Sequence, residues 1–428
     1  MTIISKDQRF IWHPFTQGMT EKLPIHITRG QGAYLYDMKG EKYLDLISSW
    51  WVNLHGHANP YIAKAIYDQA LKLEHVIFAG FTHQPAVTLC EKLSQILPSP
   101  LSRFFFSDNG STAVEVAIKI AYQFWLNNNI ERNIFLSFEG GYHGDTFGAM
   151  SVGKDSNFHN HFRKLFFEVF TIPFPFIFDG DEEIKYKEQQ SLAKLAFYLE
   201  KHGKSIAAFI LEPLVQGASG MRMCRPSFIE QVVNLLRNHK ILIIFDEIMT
   251  GFGRTGSLFA FEQINCIPDI ICISKGLTGG FLPMSLTVIN EDIYQAFLSQ
   301  DHHKTFMHGH SYTANPLGCA AAIASLDLLL HDDTQNKIKN ITRLHKESLK
   351  KLTTISSVHS IRQIGTIAAF DIRATATDMT NLKGRLLNEG LLLRPLNNTV
   401  YLLPPYCISE DDLKEAYIKI EKVLITMV

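Results

Sequence analysis

Unbroken apolar runs alternate with helically spaced apolar positions through the middle of this chain. The runs predict buried strands, because strands covered on both faces carry apolar residues at consecutive positions. They lie at Arg103–Ser107, Asn133–Phe138, Ile206–Leu211, Lys240–Phe245, Ile270–Ile273 and Ser285–Ile289. The period of a helix recurs over residues 59–73 and at Gln84–Leu97, Ser111–Leu126, Pro226–Asn238 and Asn315–Leu330. This alternation predicts an α/β fold with a mainly parallel sheet, which binds ligands beyond the C-terminal ends of its strands.

The two ends of the chain follow a different pattern. After an irregular start, short strands are predicted at Ala33–Asp37 and Lys42–Leu46. The tail from about His331 predicts a helix, a strand near Ile361–Ile372, a helix, a pairing of Leu391–Arg394 with Val400–Leu403, and a last helix. We therefore predict a large domain over residues 53–330 and a small α+β domain. The small domain would combine the N-terminal segment 1–52 with residues 331–428.

Composition narrows the class of protein. The chain has 428 residues, of which 46% are hydrophobic, so it can form a large core and is not expected to be disordered. With 41 Lys+Arg against 42 Asp+Glu, it lacks the basic excess of a nucleic-acid binder. Apolar runs fall short of the roughly 18–20 residues of a membrane span. Six cysteines without a CxxC pair indicate a reducing compartment, and we expect a cytoplasmic location without nucleic-acid or membrane partners.

Two charged residues follow predicted buried strands. Asp246 ends the run Ile241–Phe245, where an unpaired carboxylate would be costly, so it needs a cationic partner. Lys275 follows Ile270–Ile273. Separately, they could be a strand-end acid that caps a helix and a solvated lysine. Together, they are the amine and the carboxylate that a pyridoxal-phosphate enzyme requires, one to bind the cofactor and one to keep its pyridine nitrogen protonated.

A phosphate cradle is predicted where another strand turns into a helix. The segment Ser107–Thr112 is made of small and polar residues, and a helix N-terminus attracts anions through its free N–H groups. An ordinary helix cap explains the same residues equally well. Tyr142, in a glycine-rich segment after the strand Asn133–Phe138, could stack on a planar cofactor or belong to the core.

Other functional classes fit the sequence less well. The segment Gly251–Gly256 spells G-x-G-x-x-G, but it comes in mid-chain and opens no helix, which disfavours a dinucleotide-dependent oxidoreductase. The 18 histidines form no H-E-x-x-H pattern, so we expect no metal. There is no G-x-S-x-G motif of a serine hydrolase at the candidate serines. A non-catalytic binding protein would require Lys275 to be inert.

The run Ile244–Gly256, followed by Ser274–Gly276, resembles the signature of the class III pyridoxal-phosphate aminotransferases. The resemblance extends from about residue 10 to about residue 405. It implies fold type I, pyridoxal 5'-phosphate as cofactor, and a homodimer with shared active sites. It also implies that Lys275 binds the cofactor and shuttles protons, that Asp246 contacts the pyridine nitrogen, and that Tyr142 stacks on the ring. Further implied cofactor contacts are Gly110, Ser111 and Glu212, with Ser311 at the phosphate of the neighbouring subunit.

Four further segments resemble one branch of this class, which transfers an amino group to 8-amino-7-oxononanoate in biotin synthesis. They are Trp12–Thr16, Ser48–Trp51, Tyr142–Ser151 and Thr305–Gly309. The implied substrate contacts are Phe15, Trp50, Trp51, Asp145 and Arg394, of which Arg394 suits a carboxylate. Phe15 stands where some relatives carry a tyrosine, so the amino donor could be S-adenosylmethionine or lysine. Another class III ω-aminotransferase remains an alternative, and the resemblance assigns no role to Arg254.

Overall fold

A seven-stranded sheet forms the centre of the molecule. The computed structural model describes residues 2–426. Across the sheet the strands follow the order Leu101–Ser107, Ser285–Asn290, Ile270–Ile273, Leu242–Asp246, Ile206–Leu211, Ile134–Phe138 and Val169–Ile172. Neighbouring strands are parallel except that Ser285–Asn290 runs antiparallel to both of its neighbours. The predicted α/β fold with a mainly parallel sheet is confirmed.

Both faces of this sheet are buried, as the unbroken apolar runs predict. Along the central strand, Leu242 and Ile244 belong to one apolar cluster, whereas Ile243 and Phe245 belong to another. Successive side chains of a strand point to opposite faces, so each run supplies two cores at once. The helix Gly110–Asn127 covers the face of Ile244 with buried alanine and valine side chains.

Helices surround the sheet and extend into both ends of the chain. Their bounds are Ile3–Phe10, Pro60–Ala70, Gln84–Ile96, Gly110–Asn127, Phe147–Val152, Ile184–His202, Pro226–Asn238, Glu291–Gln295, Pro316–Leu330, Asp332–Leu352, Ala376–Asn388 and Glu410–Ile425. Short 3-10 segments lie at Asn157–Leu165, Ala260–Gln263, Lys275–Thr278 and His302–Lys304. Within residues 2–426, no helix combines the length and the apolar character that crossing a membrane requires.

The N-terminal region contains a second sheet, and two predictions made for the chain ends are wrong there. The first residues form the helix Ile3–Phe10 rather than an irregular start, with Thr2 as its cap. The sheet has four strands, Ile27–Gln31, Tyr34–Asp37, Lys42–Asp45 and Leu391–Leu392. The last of these pairs in parallel with Lys42–Asp45 and not with the segment near Val400. The main-chain groups of Leu391–Leu392 are therefore satisfied by the N-terminal segment.

The C-terminal region carries a third, antiparallel sheet. Where one strand is predicted near Ile361–Ile372, the chain forms the hairpin Val358–Ile364 and Ile367–Ile372, because Gly365 has the positive φ that a tight turn needs. Thr399–Leu402 joins this hairpin as the third strand. A two-stranded ribbon, Val215–Gln216 with Arg222–Met223, lies outside the three sheets. The domain limits at residues 52 and 330 stay a prediction.

Candidate active site

The C-terminal ends of several strands of the large sheet surround one cavity of about 420 Å³. Its walls come from distant parts of the chain, since five strands of the large sheet contribute residues at or just beyond their C-terminal ends and Trp51 comes from the N-terminal segment. The lining residues are Trp51, Asn109, Gly110, Ser111, Tyr142, His143, Gly144, Asp145, Thr146, Glu212, Asp246, Ile248, Met249 and Lys275. The structure thus brings together most of the residues that the sequence singles out for cofactor binding.

Asp246 lies at the bottom of the cavity, and its partner is a histidine. Oδ2 of Asp246 lies 2.7 Å from Nδ1 of His143, and Oδ1 accepts the N–H of Ile248 at 3.1 Å. Both side chains are almost fully buried. Because the carboxylate accepts, the imidazole carries a hydrogen on Nδ1. Nε2 of His143 is buried without a partner among residues 2–426.

Lys275 reaches the same cavity from the neighbouring strand. Its backbone has φ +44°, and its Nζ lies 4.6 Å from the centre of the Trp51 ring. Burial lowers the pKa of Lys275 to about 8, although the charges of Asp246 and Glu212 act in the opposite direction. A substantial fraction of this amine is therefore neutral near physiological pH, as a nucleophile or a base must be.

Glu212 connects two loops at the edge of the cavity. Oε1 accepts the backbone N–H of Tyr142 at 3.0 Å, and Oε2 accepts the N–H of Gly217 at 2.9 Å. Burial raises the pKa of Glu212 to about 7. Its two backbone bonds fix the loop that carries Tyr142, so Glu212 positions this side chain in addition to facing the cavity.

The helix Gly110–Asn127 points its N-terminus into the cavity. Asn109 caps the helix by accepting the N–H of Thr112 at 3.1 Å. A Cβ on Gly110 would lie 2.8 Å from Cγ2 of Ile248, so only glycine allows this close approach. The hydroxyl of Ser111 bonds to the hydroxyl of Thr146 at 2.9 Å. The first N–H groups of a helix have no partner inside it, which leaves them free for an anion.

The Tyr142 ring forms part of the cavity wall and is packed from outside. It stacks on His159 with centroids 5.6 Å apart and meets Phe158 edge-on at 5.9 Å. Nε2 of His159 also lies 3.3 Å from Oδ1 of Asp145, and this hydrogen bond lowers the pKa of Asp145. Tyr142 and Asp145 are thus held by the segment that follows the helix Phe147–Val152.

An aromatic row continues from the cavity toward the chain ends. Phe158 contacts Phe15 at 5.6 Å, and Phe15 contacts Trp50 at 5.5 Å. The guanidinium of Arg394 lies 4.2 Å from the centre of the Trp50 ring. Phe15, Trp50 and Arg394 therefore form an outer cluster beside the cavity, assembled from both chain ends. The cation–π contact favours a position of the Arg394 guanidinium beside the Trp50 ring.

Arg254 is buried, and within residues 2–426 its guanidinium hydrogen-bonds to backbone oxygens and lies 5.1 Å from the centre of the Tyr406 ring. Its guanidinium donates to the carbonyls of Trp51 at 3.3 Å, Asn53 at 3.1 Å and Pro404 at 3.0 Å. Burial lowers its pKa. Arg254 therefore fastens the N-terminal segment and the C-terminal region to the large sheet, and it does not line the cavity.

Ser311 is predicted to be a cofactor contact, but the fold of the single chain does not bring it to the cavity. It is exposed and does not line the cavity. Sequence reasoning missed His143, Thr146, Phe158 and His159 as parts of the site. For His143 a signal existed, since it follows Tyr142 in the glycine-rich segment after a strand. For Phe158 and His159 none existed, because they come from a 3-10 segment with no motif.

The cavity fits pyridoxal phosphate, the cofactor that the resemblance implies. Lys275 offers an amine, Asp246 a buried carboxylate, Tyr142 a flat ring, and Gly110 with Ser111 a helix N-terminus for a phosphate. The glycine at 110 leaves open the volume that a Cβ would fill. These donors are of the kinds that the aldehyde, the ring nitrogen and the phosphate of that group need.

Comparison with known proteins agrees with this geometry. The family described as aminotransferase class III matches residues 16–424. The adenosylmethionine-8-amino-7-oxononanoate aminotransferase of Synechococcus elongatus is 50% identical over 419 residues, covering 97% of this chain and 98% of that protein. The Helicobacter pylori enzyme of the same name is 40% identical, with 98% and 96% covered.

Solved structures share the whole fold. The adenosylmethionine-8-amino-7-oxononanoate aminotransferase of Methanocaldococcus jannaschii superposes with a TM-score of 0.90 at 34% identity, covering 98% of each chain. A PLP-bound amine transaminase from an uncultivated Pseudomonas species gives a TM-score of 0.91 at 28% identity, with 98% and 99% covered. With a family match over nearly its whole length and a cavity that accommodates the cofactor, this chain belongs to the class III aminotransferases, the pyridoxal-phosphate-dependent transaminases of fold type I.

Proposed function

We propose that this transaminase transfers an amino group from S-adenosylmethionine to 8-amino-7-oxononanoate and gives 7,8-diaminononanoate, a step of biotin synthesis. The observation that carries the proposal is the 50% identity to the Synechococcus elongatus enzyme of that name over nearly the full length of both chains. The outer cluster of Phe15, Trp50 and Arg394 supports it, because it combines an aromatic surface with one cation beside the cavity.

The residues of the cavity divide the chemistry among them. Pyridoxal phosphate, when bound, supplies a ring that takes up the negative charge developing on the substrate carbon. Nζ of Lys275 is suited to accept the proton of that carbon and to return it, because its pKa of about 8 lets both protonation states be populated. The Asp246 carboxylate would contact the ring nitrogen and hold a proton there. His143 keeps the Asp246 carboxylate in place.

The remaining cavity residues bind and orient. Tyr142 would cover the ring, while Gly110 and Ser111 would donate backbone N–H groups to the phosphate. Glu212 fixes the Tyr142 loop. Trp51 narrows the space above Lys275 and excludes water from it.

Arg394 is the candidate anchor for the carboxylate of 8-amino-7-oxononanoate. A guanidinium presents two parallel donors to a carboxylate, and that of Arg394 lies beside the cavity, 4.2 Å from the centre of the Trp50 ring. The aromatic surfaces of Phe15 and Trp50 suit the aliphatic chain between the carboxylate and the ketone. Asp145, more than one-third exposed, is suited to the amino group of a substrate.

Phe15 bears on the identity of the amino donor. The phenyl ring offers no hydroxyl to a donor, and it packs edge-on against Trp50 and Phe158. This observation favours lysine as a second candidate donor. The relatives named for S-adenosylmethionine support that compound as the first.

Half-reactions test both assignments. The purified enzyme, loaded with pyridoxal phosphate, is mixed separately with 7,8-diaminononanoate, S-adenosylmethionine and lysine, and the visible absorbance of the cofactor is followed. We expect 7,8-diaminononanoate and S-adenosylmethionine to bleach it. If lysine bleaches the cofactor and S-adenosylmethionine does not, the amino donor is lysine. If 7,8-diaminononanoate has no effect while 4-aminobutyrate or ornithine bleaches the cofactor, the enzyme is another ω-aminotransferase.

We propose that the active enzyme is a cytoplasmic homodimer in which Ser311 serves the cofactor phosphate of the neighbouring subunit. The exposed position of Ser311, outside the cavity of its own chain, supports this arrangement. The six free cysteines support a reducing compartment. Sedimentation velocity over a dilution series tests the dimer, and a monomer with full activity would contradict it.

A further inference from the structure

Four consecutive residues, the last of which lines the cavity, have a left-handed backbone. Ser48, Ser49, Trp50 and Trp51 have φ values of +49°, +45°, +74° and +75°. None is a glycine, and L-residues enter this region rarely, as single residues and not as runs. The segment Ser48–Trp51, here called the left-handed turn, closes its own backbone hydrogen bonds, from Trp51 N–H to the Ile47 carbonyl at 2.9 Å and from Val52 N–H to the Ser48 carbonyl at 3.0 Å. Its unfavourable backbone conformation persists because the surrounding structure holds it.

Asp45 is the side chain that holds the beginning of this turn. It is fully buried, at 0% exposure. Oδ1 accepts the N–H of Ile47 at 3.2 Å, and Oδ2 accepts the hydroxyl of Ser49 at 2.9 Å. Oδ2 also lies 2.9 Å from Nε2 of His57, a residue outside the turn that helps to hold the carboxylate. One carboxylate thus bonds to the residues on both sides of Ser48.

The turn decides where two site residues point. Trp51 lies over Nζ of Lys275 at 4.6 Å, and Nε1 of its indole donates to the hydroxyl of Tyr401 at 3.1 Å. Trp50 carries the guanidinium of Arg394 at 4.2 Å. A right-handed turn at the same place would send both rings in other directions, since each side chain follows the φ and ψ of its own residue.

We propose that Asp45 is a positioning residue of this transaminase, which acts through the left-handed turn to hold Trp50 against Arg394 and Trp51 over Lys275. Without its carboxylate, the N–H of Ile47 and the hydroxyl of Ser49 lose their acceptor, and the turn relaxes toward ordinary backbone conformations. The pocket then loses its aromatic wall, while the cavity residues on the large sheet stay in place.

Glycine provides a specific test of this proposal. At φ +45° a glycine is free of the steric penalty of a Cβ. In the Asp45→Ala variant the hydroxyl of Ser49 has already lost its acceptor, so adding Ser49→Gly removes no further contact with residue 45 and makes the left-handed conformation easier to adopt. A residue that only stabilised the fold would not be compensated at this position.

The experiment compares Asp45→Ala, Asp45→Ala with Ser49→Gly, and the control Asp269→Ala. Asp269 is also a buried carboxylate that accepts a backbone N–H, that of Ile243 at 2.8 Å, but it pairs with Arg237 and does not line the cavity. All variants carry Trp12→Phe, because Trp12 is 94% exposed and would dominate tryptophan quenching. The readouts are acrylamide quenching of tryptophan fluorescence in the loaded enzyme, and KM and kcat for both substrates.

We expect Asp45→Ala to increase quenching and to raise the KM for 8-amino-7-oxononanoate about tenfold or more, since displacing a positioned group by about 1 Å costs up to about 100-fold. Ser49→Gly should recover about threefold of that loss. Asp269→Ala should lower the melting temperature and leave quenching and KM unchanged.

Parental quenching in Asp45→Ala, or no recovery with Ser49→Gly, would overturn the proposal. If Asp45→Ala does not fold, Asp45→Asn with and without Ser49→Gly decides by the same criteria, with smaller shifts expected. The choice of substrate rests on the proposed function, but quenching needs no substrate. An inactive parent enzyme would therefore contradict the proposed function and leave the role of Asp45 to be judged by quenching.

Discussion

Nδ1 of His143 lies 2.7 Å from Oδ2 of Asp246, and both side chains are shielded from water. A carboxylate in such a place has no solvent to stabilise its charge, so the imidazole and the N–H of Ile248 take over that role. The bottom of the cavity therefore presents a carboxylate that is held in one orientation.

Replacing Asp246 by asparagine should abolish most of the activity while the fold is kept. The amide has nearly the same shape but no negative charge to hold a proton on the ring nitrogen. We expect kcat to fall about 100-fold or more, the loss typical of removing a preorganised electrostatic contact. Steady-state kinetics measures this, and circular dichroism controls for the fold. Near-normal turnover would contradict the assigned role.

His143→Phe should also lower kcat, but less than Asp246→Asn does. Hydrogen bonds to charged groups contribute about 1.5–3 kcal/mol, which corresponds to roughly 10–100-fold in rate. His143→Asn can keep a donor toward Asp246 and should retain more activity. Equal kcat values for the two variants would show that the hydrogen bond is unimportant.

The pH dependence of Lys275 can be measured directly on the cofactor-free protein. Only the neutral amine is a nucleophile, and a pKa of about 8 makes it neutral above that pH. The rate constant for covalent capture of pyridoxal phosphate should therefore rise with pH through about 8. In Asp246→Asn the midpoint should move to lower pH, because the carboxylate raises the pKa of Lys275. A parental midpoint near pH 10 would contradict the prediction, and stopped-flow absorbance provides the rates.

Arg394→Ala should affect one substrate more than the other. If Arg394 binds the carboxylate of 8-amino-7-oxononanoate, its loss should raise the KM for that substrate about 10–100-fold and leave the donor KM nearly unchanged. Arg394→Lys keeps the charge without the bidentate geometry, so its KM for 8-amino-7-oxononanoate should lie between those of the parent enzyme and Arg394→Ala. An equal rise for both substrates would place the carboxylate elsewhere.

Arg254→Met should destabilise the enzyme strongly. Three carbonyls, those of Trp51, Asn53 and Pro404, would lose their donor in the interior. At about 1–3 kcal/mol for each unsatisfied group, the free energy of unfolding should fall by about 3 kcal/mol or more. The control Arg343→Met breaks exposed ion pairs with Glu347 and Glu410 and should cost only about 1 kcal/mol. Urea denaturation of both variants gives the comparison.

The central sheet could be predicted because its strands are written as apolar runs. Ile206–Leu211 and Ile270–Ile273 were predicted with their observed bounds. The helix Ile184–His202 gave no clear pattern, since only a few of its residues are buried. The partner of Leu391 could not be predicted, because a strand of two residues carries no information about which edge it joins.

The candidate site also contains parts that could be predicted from the sequence and parts that could not. Asp246, Lys275 and Tyr142 follow strands or motifs, so their meeting at one sheet edge follows from topology. The left-handed turn at Ser48–Trp51 contains no glycine to signal a positive φ, and it depends on Asp45 and on contacts with residues near the C-terminus. Conformations imposed by distant parts of the chain leave no local trace in the sequence.

The parallel pairing of Lys42–Asp45 with Leu391–Leu392 has a consequence for biosynthesis. Ribosomes add about 5–20 residues per second, so the N-terminal strands emerge long before the segment that completes their sheet. Trp50 is likewise synthesised long before Arg394, the residue that its ring contacts. The large sheet can form while the chain grows, but the Trp51 wall of the cavity needs Tyr401 and the outer cluster needs Arg394. Substrate recognition is therefore completed among the last events of synthesis.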